Sequence, residues 1–144
     1  MTKSKTRLIL ILLEKAVKLL RECGIQPTPQ RIAVVEFIFK TRAHPSADKV
    51  LEYVRRKCPT ISRATVYNTL NLLVEKQLLR AQALKEGILV FDPNLDRHHH
   101  FIDDESGKIY DIPWDAIQVS GEEVLREFEV REYQVILRGK IKRK

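Results

Sequence analysis

The histidines of this chain are concentrated in one segment, and acidic residues flank them. Three of the four histidines are consecutive, from His98 to His100, and Asp92 precedes them. Alternate side chains of a β-strand point to opposite faces of the sheet, so His98 and His100 would share one face if this segment is a strand. Two imidazoles on one face of a strand can bind the same metal ion.

A second strand is predicted over residues 109–112, and it would bring Asp111 alongside the histidines. Imidazole nitrogen and carboxylate oxygen without thiolate suit Fe(II), Mn(II), Co(II), Ni(II) and also zinc, but not the sulfur-rich structural zinc sites. An isolated run of three histidines could instead be a solvated, tag-like segment. This run is internal, lies between apolar strands and is flanked by acids, which favours a metal site.

A non-haem metalloenzyme is one alternative, because two histidines and carboxylates can leave a coordination position open for chemistry. The sequence shows no second acid–base residue and no glycine-rich substrate loop beside these ligands. We therefore predict a metal-binding protein and not an enzyme.

Four helices are predicted to precede the histidine segment. The first covers residues 7–23 and ends at Gly24, and the second begins at Thr28-Pro29 with Ile32, Val35 and Phe39 as its buried stripe. The third and fourth begin after the capping residues Ser46 and Ser62.

Two short strands, at residues 78–84 and 88–91, follow the helices around a glycine-containing turn and would form a wing. We predict an α+β chain with two domains. Residues 1–86 form a winged helix-turn-helix that binds DNA, and residues 87–144 form a small α/β domain for metal binding and dimerisation. In this second domain we expect a short helix at residues 121–129 and a strand at residues 133–137.

The fourth helix is predicted to read DNA. Val66, Leu70 and Leu73 recur at helical spacing and would face inward, while short or flat polar groups occupy the opposite face. Asparagine can bond adenine in the major groove, and small groups contact thymine methyls. A helical module that binds protein is the alternative. The predicted DNA-contacting residues are Arg31, Ser62, Arg63, Ala64, Thr65, Tyr67, Asn68 and Asn71.

The charge of the chain is divided unequally. Residues 1–86 contain 17 Lys and Arg against 7 Asp and Glu, a net charge of +10, whereas residues 87–144 contain 9 against 12, a net charge of −3. A basic first half favours a polyanionic partner such as double-stranded DNA. The sequence has no run of about twenty apolar residues, which argues against a membrane span. The two cysteines, Cys23 and Cys58, are expected to be reduced thiols in a cytoplasmic protein.

Taken together, these segments resemble the ferric uptake regulator family, and most closely its peroxide-responsive repressors. The resemblance covers nearly the whole chain, and it is specific because the motifs occur in the family's order and spacing. The motifs are Gly24-Ile25-Gln26-Pro27-Thr28-Pro29-Gln30-Arg31, His44-Pro45-Ser46-Ala47-Asp48, Ser62-Arg63-Ala64-Thr65-Val66-Tyr67-Asn68, and the histidine segment through Gly107-Lys108-Ile109-Tyr110-Asp111.

The resemblance implies which residues hold the regulatory metal. In such repressors five residues bind it, and the matching positions here are His44, Asp92, His98, His100 and Asp111. Aspartate at the last position is typical of the peroxide sensors, whereas iron-sensing relatives usually have glutamate there. The implied metal is Fe2+ or Mn2+, and Zn2+ could occupy the site in purified protein. With iron bound, peroxide would oxidise His44 or His98 and release the protein from DNA, whereas with manganese the protein would be insensitive.

The chain departs from the family at a second metal site. Most members carry two Cys-x-x-Cys pairs that bind a structural zinc, but here Asp103 and Ser106 replace the first pair, and the C-terminus ends in Lys and Arg where the second would fall. We therefore expect no structural zinc bound by four cysteines and a homodimer that is held by apolar packing. A regulator of the same fold that senses iron, zinc, nickel, manganese or haem remains the main alternative.

Overall fold

The computed structural model describes residues 3–85 and 87–142, apart from the side chain of Ile9. It separates into two compact units, residues 1–95 and 96–144. The first unit contains four helices and a two-stranded sheet, and the second contains a three-stranded sheet. None of the described helices is both long and apolar enough to cross a membrane.

The helices of the first unit are α1 (Lys3–Glu22), α2 (Pro29–Lys40), α3 (Ala47–Val54) and α4 (Arg63–Glu75). Helix α1 ends where predicted, because Gly24 adopts a left-handed φ of 72° and the Ile25 N–H donates to the Leu20 carbonyl at 2.8 Å. The three predicted N-caps are confirmed: the side chains of Thr28, Ser46 and Ser62 accept from the N–H groups of the third residue beyond each.

The core of the first unit lies between these helices. Val66, Leu70 and Leu73 are fully buried, as predicted for the inner face of α4, which packs against α2 and α3. The predicted stripe of α2 is wrong in part. Val35 is buried, but Ile32 is only partly buried and Phe39 is exposed, because α2 turns Val34 and Ile38 into the core instead.

The predicted hairpin closes the first unit. Strand β1 (Arg80–Lys85) pairs antiparallel with strand β2 (Ile88–Asp92), and Gly87 has a positive φ of 69° in the turn. Because β2 is hydrogen-bonded to β1, the first unit extends to Leu95 and the division of the chain lies later than the boundary that we predicted after residue 86.

The second unit is built on the histidine strand. Strand β3 (His98–Asp103) is central, with β4 (Ile109–Pro113) antiparallel on one side and β5 (Ile136–Gly139) parallel on the other. A short 3-10 helix (Trp114–Ala116) follows β4. The predicted strand at residues 133–137 is displaced toward the C-terminus, and the predicted helix at residues 121–129 is wrong, since residues 122–127 form turns. Short helices need tertiary packing, and the apolar Val124 and Phe128 of this segment are exposed.

Candidate metal ligands and DNA-contacting face

Two of the predicted metal ligands lie together in the first unit. The Nε2 atom of His44 is 3.1 Å from the Oδ2 atom of Asp92, and both side chains are almost completely buried. We call these two residues the first ligand set. A buried carboxylate beside an imidazole is costly to desolvate unless a charge compensates it, so this pair is suited to a cation.

Local backbone pairing positions the first ligand set. The Phe91 N–H donates to the Pro45 carbonyl at 2.9 Å, and Ser46 forms an isolated bridge with Val90. The residues directly after His44 are therefore attached to strand β2, which ends at Asp92. The Asn94 N–H also donates to the Asp92 Oδ1 atom at 2.9 Å. This hydrogen bond fixes one carboxylate oxygen, and the other oxygen, Oδ2, lies beside His44.

Three predicted ligands lie together in the second unit, and we call them the second ligand set: His98, His100 and Asp111. The Nε2 atoms of His98 and His100 are 3.6 Å and 3.7 Å from the Asp111 Oδ1 atom. Both imidazoles are buried, whereas the Asp111 side chain is 41% exposed. The sequence-based expectation that His98 and His100 share a face with Asp111 agrees with the strand register, in which His100 pairs with Asp111.

A hydrogen bond orients the His98 ring. Its Nδ1 atom lies 2.6 Å from the Asp96 carbonyl oxygen. Because a carbonyl can only accept, the Nδ1 atom carries a proton, and the Nε2 atom on the side of Asp111 is the ring nitrogen that could bind a metal. Metal-binding histidines commonly donate their second ring N–H to such an acceptor.

His99 points away from the second ligand set and anchors the sheet, a role that the sequence analysis did not assign. Its Nδ1 atom accepts from the Val135 N–H at 2.9 Å, just before strand β5. Its ring stacks on Trp114 with centroids 4.6 Å apart and planes 18° apart. The alternation of side chains along a strand separates His99 from its neighbours, but the partner segment could not be identified from sequence spacing.

The turn that takes the place of the first Cys-x-x-Cys pair closes with its own hydrogen bonds. The Ser106 hydroxyl donates to the Asp103 carboxylate at 2.5 Å, and the N–H groups of Glu105 and Ser106 donate to the same carboxylate. The Ser106 hydrogen bond, helped by the two N–H groups and the charge of Lys140, lowers the pKa of Asp103 against the opposing effect of burial. Two oxygen-bearing side chains thus hold this turn through hydrogen bonds.

The outer face of α4 is available to a partner. Ala64, Asn68 and Asn71 are exposed, and Tyr67 is 39% exposed. We call these four residues the recognition face. They point away from the buried Val66, as the helical spacing predicts.

The remaining predicted DNA contacts are engaged within the first unit. Ser62 and Thr65 bond each other through their hydroxyl oxygens at 2.9 Å while Ser62 caps α4. Arg63 forms an ion pair with Asp48 of α3, and an Arg31 guanidinium nitrogen donates to the Gln26 carbonyl at 3.0 Å. The Asp48 partner was not foreseen, since it belongs to a different helix.

The cysteines play no part in either ligand set. Cys23 and Cys58 are free thiols that are partly buried and pack against the core of the first unit.

Comparisons with known proteins agree with this architecture. A family model described as the ferric uptake regulator family matches residues 22–138. The peroxide-responsive repressor PerR of Staphylococcus epidermidis is 29% identical over 130 residues, which cover 88% of this chain and 86% of that protein. The peroxide operon regulator of Bacillus subtilis is 34% identical over 105 residues, which cover 73% of this chain and 72% of that protein.

A solved structure supports the fold. The ferric uptake regulator Fur of Helicobacter pylori superposes with a TM-score of 0.70 at 20% identity, over 91% of this chain and 89% of that one. At this identity the likeness concerns the fold alone, and it confirms the predicted α+β class. Since the family model covers most of the chain and the Bacillus subtilis relative matches over most of its own length, this chain belongs to the ferric uptake regulator family.

Proposed function

We propose that this chain is a metal-dependent transcriptional repressor that binds double-stranded operator DNA as a homodimer and responds to peroxide, to divalent metal, or to both. The observation that carries the proposal is the presence in each unit of buried histidine beside a carboxylate, in a member of this regulator family. The names of the relatives, a peroxide-responsive repressor and a peroxide operon regulator, favour peroxide as the signal.

The metal site would combine the two ligand sets. His44 and Asp92 alone supply two ligands, and His98, His100 and Asp111 supply three, whereas five or six ligands suit Fe(II) and Mn(II). The coordination shell of one divalent cation would therefore be complete only when both sets bind it. The nitrogen and oxygen donors fit iron and manganese, and they also accept zinc.

Such a bridging cation would couple metal binding to DNA binding. His44 and Asp92 belong to the unit that carries α4, so ligation by both sets would fix that unit relative to the second unit of the same chain. The spacing of the two α4 helices in a dimer would then match half-sites about one helical turn apart. The metal shifts the population toward the arrangement that can bind DNA only if it binds that arrangement more tightly than the others. A tenfold gain in DNA affinity needs about 1.4 kcal/mol of coupling.

The recognition face would contact the bases. Asn68 and Asn71 can bond the edge of adenine in the major groove, and Ala64 can contact a thymine methyl. Tyr67 supplies a flat aromatic ring with a hydroxyl group beside them. Arg63 would contact phosphate after exchanging its Asp48 partner, and Arg31, Ser62 and Thr65 would add contacts near the helix N-terminus.

The second unit is expected to dimerise. It contains fewer than fifty residues and has several exposed apolar side chains that a twin subunit could cover. These side chains are Val119, Val124, Leu125, Phe128, Val130 and Leu137.

Peroxide sensing would act through the ligands themselves. Fe(II) held by these ligands would supply the redox chemistry, with peroxide as the oxidant and the source of the added oxygen, and the imidazoles of His44 and His98 would be the groups that are oxidised. An oxidised imidazole is a poorer ligand, so the two sets would no longer be held together. Mass spectrometry of iron-loaded protein after peroxide treatment should find added oxygen on His44 or His98. Unmodified histidines in both peptides would contradict this part of the proposal, and manganese-loaded protein is the control.

A gel shift tests the repressor proposal as a whole. The probe is an operator selected from random double-stranded DNA, and each variant is compared with and without Mn(II). Mn(II) should tighten binding by wild type at least about tenfold, and Asp111→Asn should remove most of this gain. Asp115→Asn, an exposed aspartate outside both ligand sets, is the matched control and should behave as wild type. A gain that Asp111→Asn leaves intact would refute the metal-dependent mechanism.

A regulator of the same fold that senses iron, zinc, nickel, manganese or haem is the second candidate, because nitrogen and oxygen donors without thiolate do not select among the four metal ions. Metal analysis of protein purified without chelators, paired with peroxide treatment, separates the two candidates. A zinc-loaded protein whose DNA affinity follows zinc and ignores peroxide would favour the second. Catalysis on a separate substrate is disfavoured, because five protein ligands leave little room at the metal and the family consists of transcription regulators.

A further inference from the structure

A cavity of about 290 Å³ opens on the surface of the first unit, between α1, α2 and the C-terminal part of α3. Its floor is apolar. Ala33 and Val54 are buried there, and Leu12 of α1 lies partly buried beside them. The rings of Phe37 and Tyr53 stack with centroids 4.8 Å apart and planes 20° apart, which adds a flat aromatic surface that is still partly exposed.

The rim of the cavity is cationic. Lys40, Arg56 and Lys57 line it together with a single carboxylate, that of Glu36. The Lys57 Nζ atom lies 3.5 Å from a Glu36 carboxylate oxygen, so this acid is already partly neutralised. The Arg56 guanidinium lies over the Tyr53 ring, 4.7 Å from its centroid, so a positive charge packs against the aromatic pair at the rim.

We propose that this cavity binds a small amphipathic organic anion, with an apolar body on the floor and a carboxylate at the rim. The volume of about 290 Å³ lies just below the usual range for small-molecule sites, about 300–1,000 Å³, so the ligand must be small. An apolar body would cover the exposed part of the Phe37–Tyr53 stack, and a carboxylate would complement the net positive rim. This site is distinct from both ligand sets and from the recognition face, none of whose residues lines the cavity within the described chain.

Octanoate is the probe, and octanol of the same chain length is its neutral match. Full-length protein labelled with 15N is titrated with each compound, and backbone amide shifts are followed by NMR. Octanoate should saturate one site, with the largest shifts at residues of α1, α2 and α3 around the cavity. Octanol should bind more weakly, because it lacks the charge that the rim recognises.

Charge-reversal variants locate the anion. Lys40→Glu and Arg56→Glu are surface changes on the rim, and each should weaken octanoate binding about three- to tenfold while leaving octanol unchanged. Lys18→Glu, on an exposed part of α1 away from the cavity lining, is the charge-matched control and should bind octanoate as wild type does. The assay uses no DNA and no metal, so its result is independent of the proposed repressor function.

Three outcomes would overturn the proposal. Equal affinities for octanoate and octanol would show an apolar surface without anion recognition. Shifts that are unsaturable or scattered over both units would show that no defined site exists. Binding of an acidic amphipathic peptide with the sequence of residues 119–133 at the cavity, without binding of octanoate, would assign the surface to a protein segment instead.

Discussion

Gln77 is the residue at which a single substitution should stabilise the first unit. Its φ of 61° is the one positive value among the described non-glycine residues. The backbone around it forms the hydrogen bonds of a helix C-terminus, from the Gln77 N–H to the Val74 carbonyl at 2.9 Å and from the Leu78 N–H to the Leu73 carbonyl at 3.0 Å. Glycine is the residue that this position favours.

The expected gain follows from two opposing quantities. A residue with a Cβ atom pays about 1–2 kcal/mol for the left-handed conformation. Glycine loses about 0.5–1 kcal/mol more backbone entropy on folding than alanine does. Gln77→Gly should therefore raise the free energy of unfolding by about 0.5–1 kcal/mol, which is a rise in Tm of about 2–8 °C for a unit of this size.

Gly24→Ala is the matched control at the end of α1. Gly24 has a φ of 72°, and a Cβ atom added there would meet no atom within 4 Å, so only the backbone conformation is tested. This variant should lower the free energy of unfolding by a similar amount. Both are measured by thermal and urea unfolding of metal-free protein. A loss of stability in Gln77→Gly, or no loss in Gly24→Ala, would refute the reasoning.

Three further predictions concern the turn at Asp103, the ion pair between Asp48 and Arg63, and the core of the first unit. Asp103→Asn should lower stability at neutral pH and match wild type in acid. Because the pKa of Asp103 is lowered in the folded state, the contribution of its carboxylate to stability is present above about pH 4 and is lost as the pH falls below that. Urea midpoints at pH 7 and pH 3 check this, and a pH-independent difference would contradict it. Asp48→Asn should remove the ion-pair partner of Arg63, so that Arg63 can contact phosphate. Binding to non-operator DNA should tighten about two- to fivefold in a low-salt gel shift. Weaker binding would argue against Arg63 as a phosphate contact. Leu70→Ala should cost about 2–5 kcal/mol in urea unfolding, whereas Leu95→Ala, at an exposed position, should cost far less; equal costs would contradict the burial of α4.

Features set by short-range chemistry could be predicted from the sequence. The capping side chains of Thr28, Ser46 and Ser62 and the left-handed Gly24 act on neighbouring backbone groups, so their local patterns were sufficient. The alternation of His98 and His100 on one strand is equally local, and Asp111 follows from one short turn.

Features that depend on packing between distant segments could not be predicted from local sequence patterns. The pairing of His44 with Asp92 requires residues 45–46 to lie against strand β2, and only the family resemblance suggested it. A short helix was predicted at residues 121–129, but the apolar Val124 and Phe128 of this segment are exposed, so it lacks the packing that would stabilise one. The cavity on the first unit requires three helices to converge, which no single segment encodes.

Mn(II) titration followed by electron paramagnetic resonance tests most directly whether one cation is bound by both ligand sets. Wild type should bind one Mn(II) per chain at this site. His44→Ala in the first unit and His100→Ala in the second should each weaken that affinity at least about tenfold, because each removes a ligand from the same ion. Full Mn(II) affinity in either variant would show that the two sets do not share a metal.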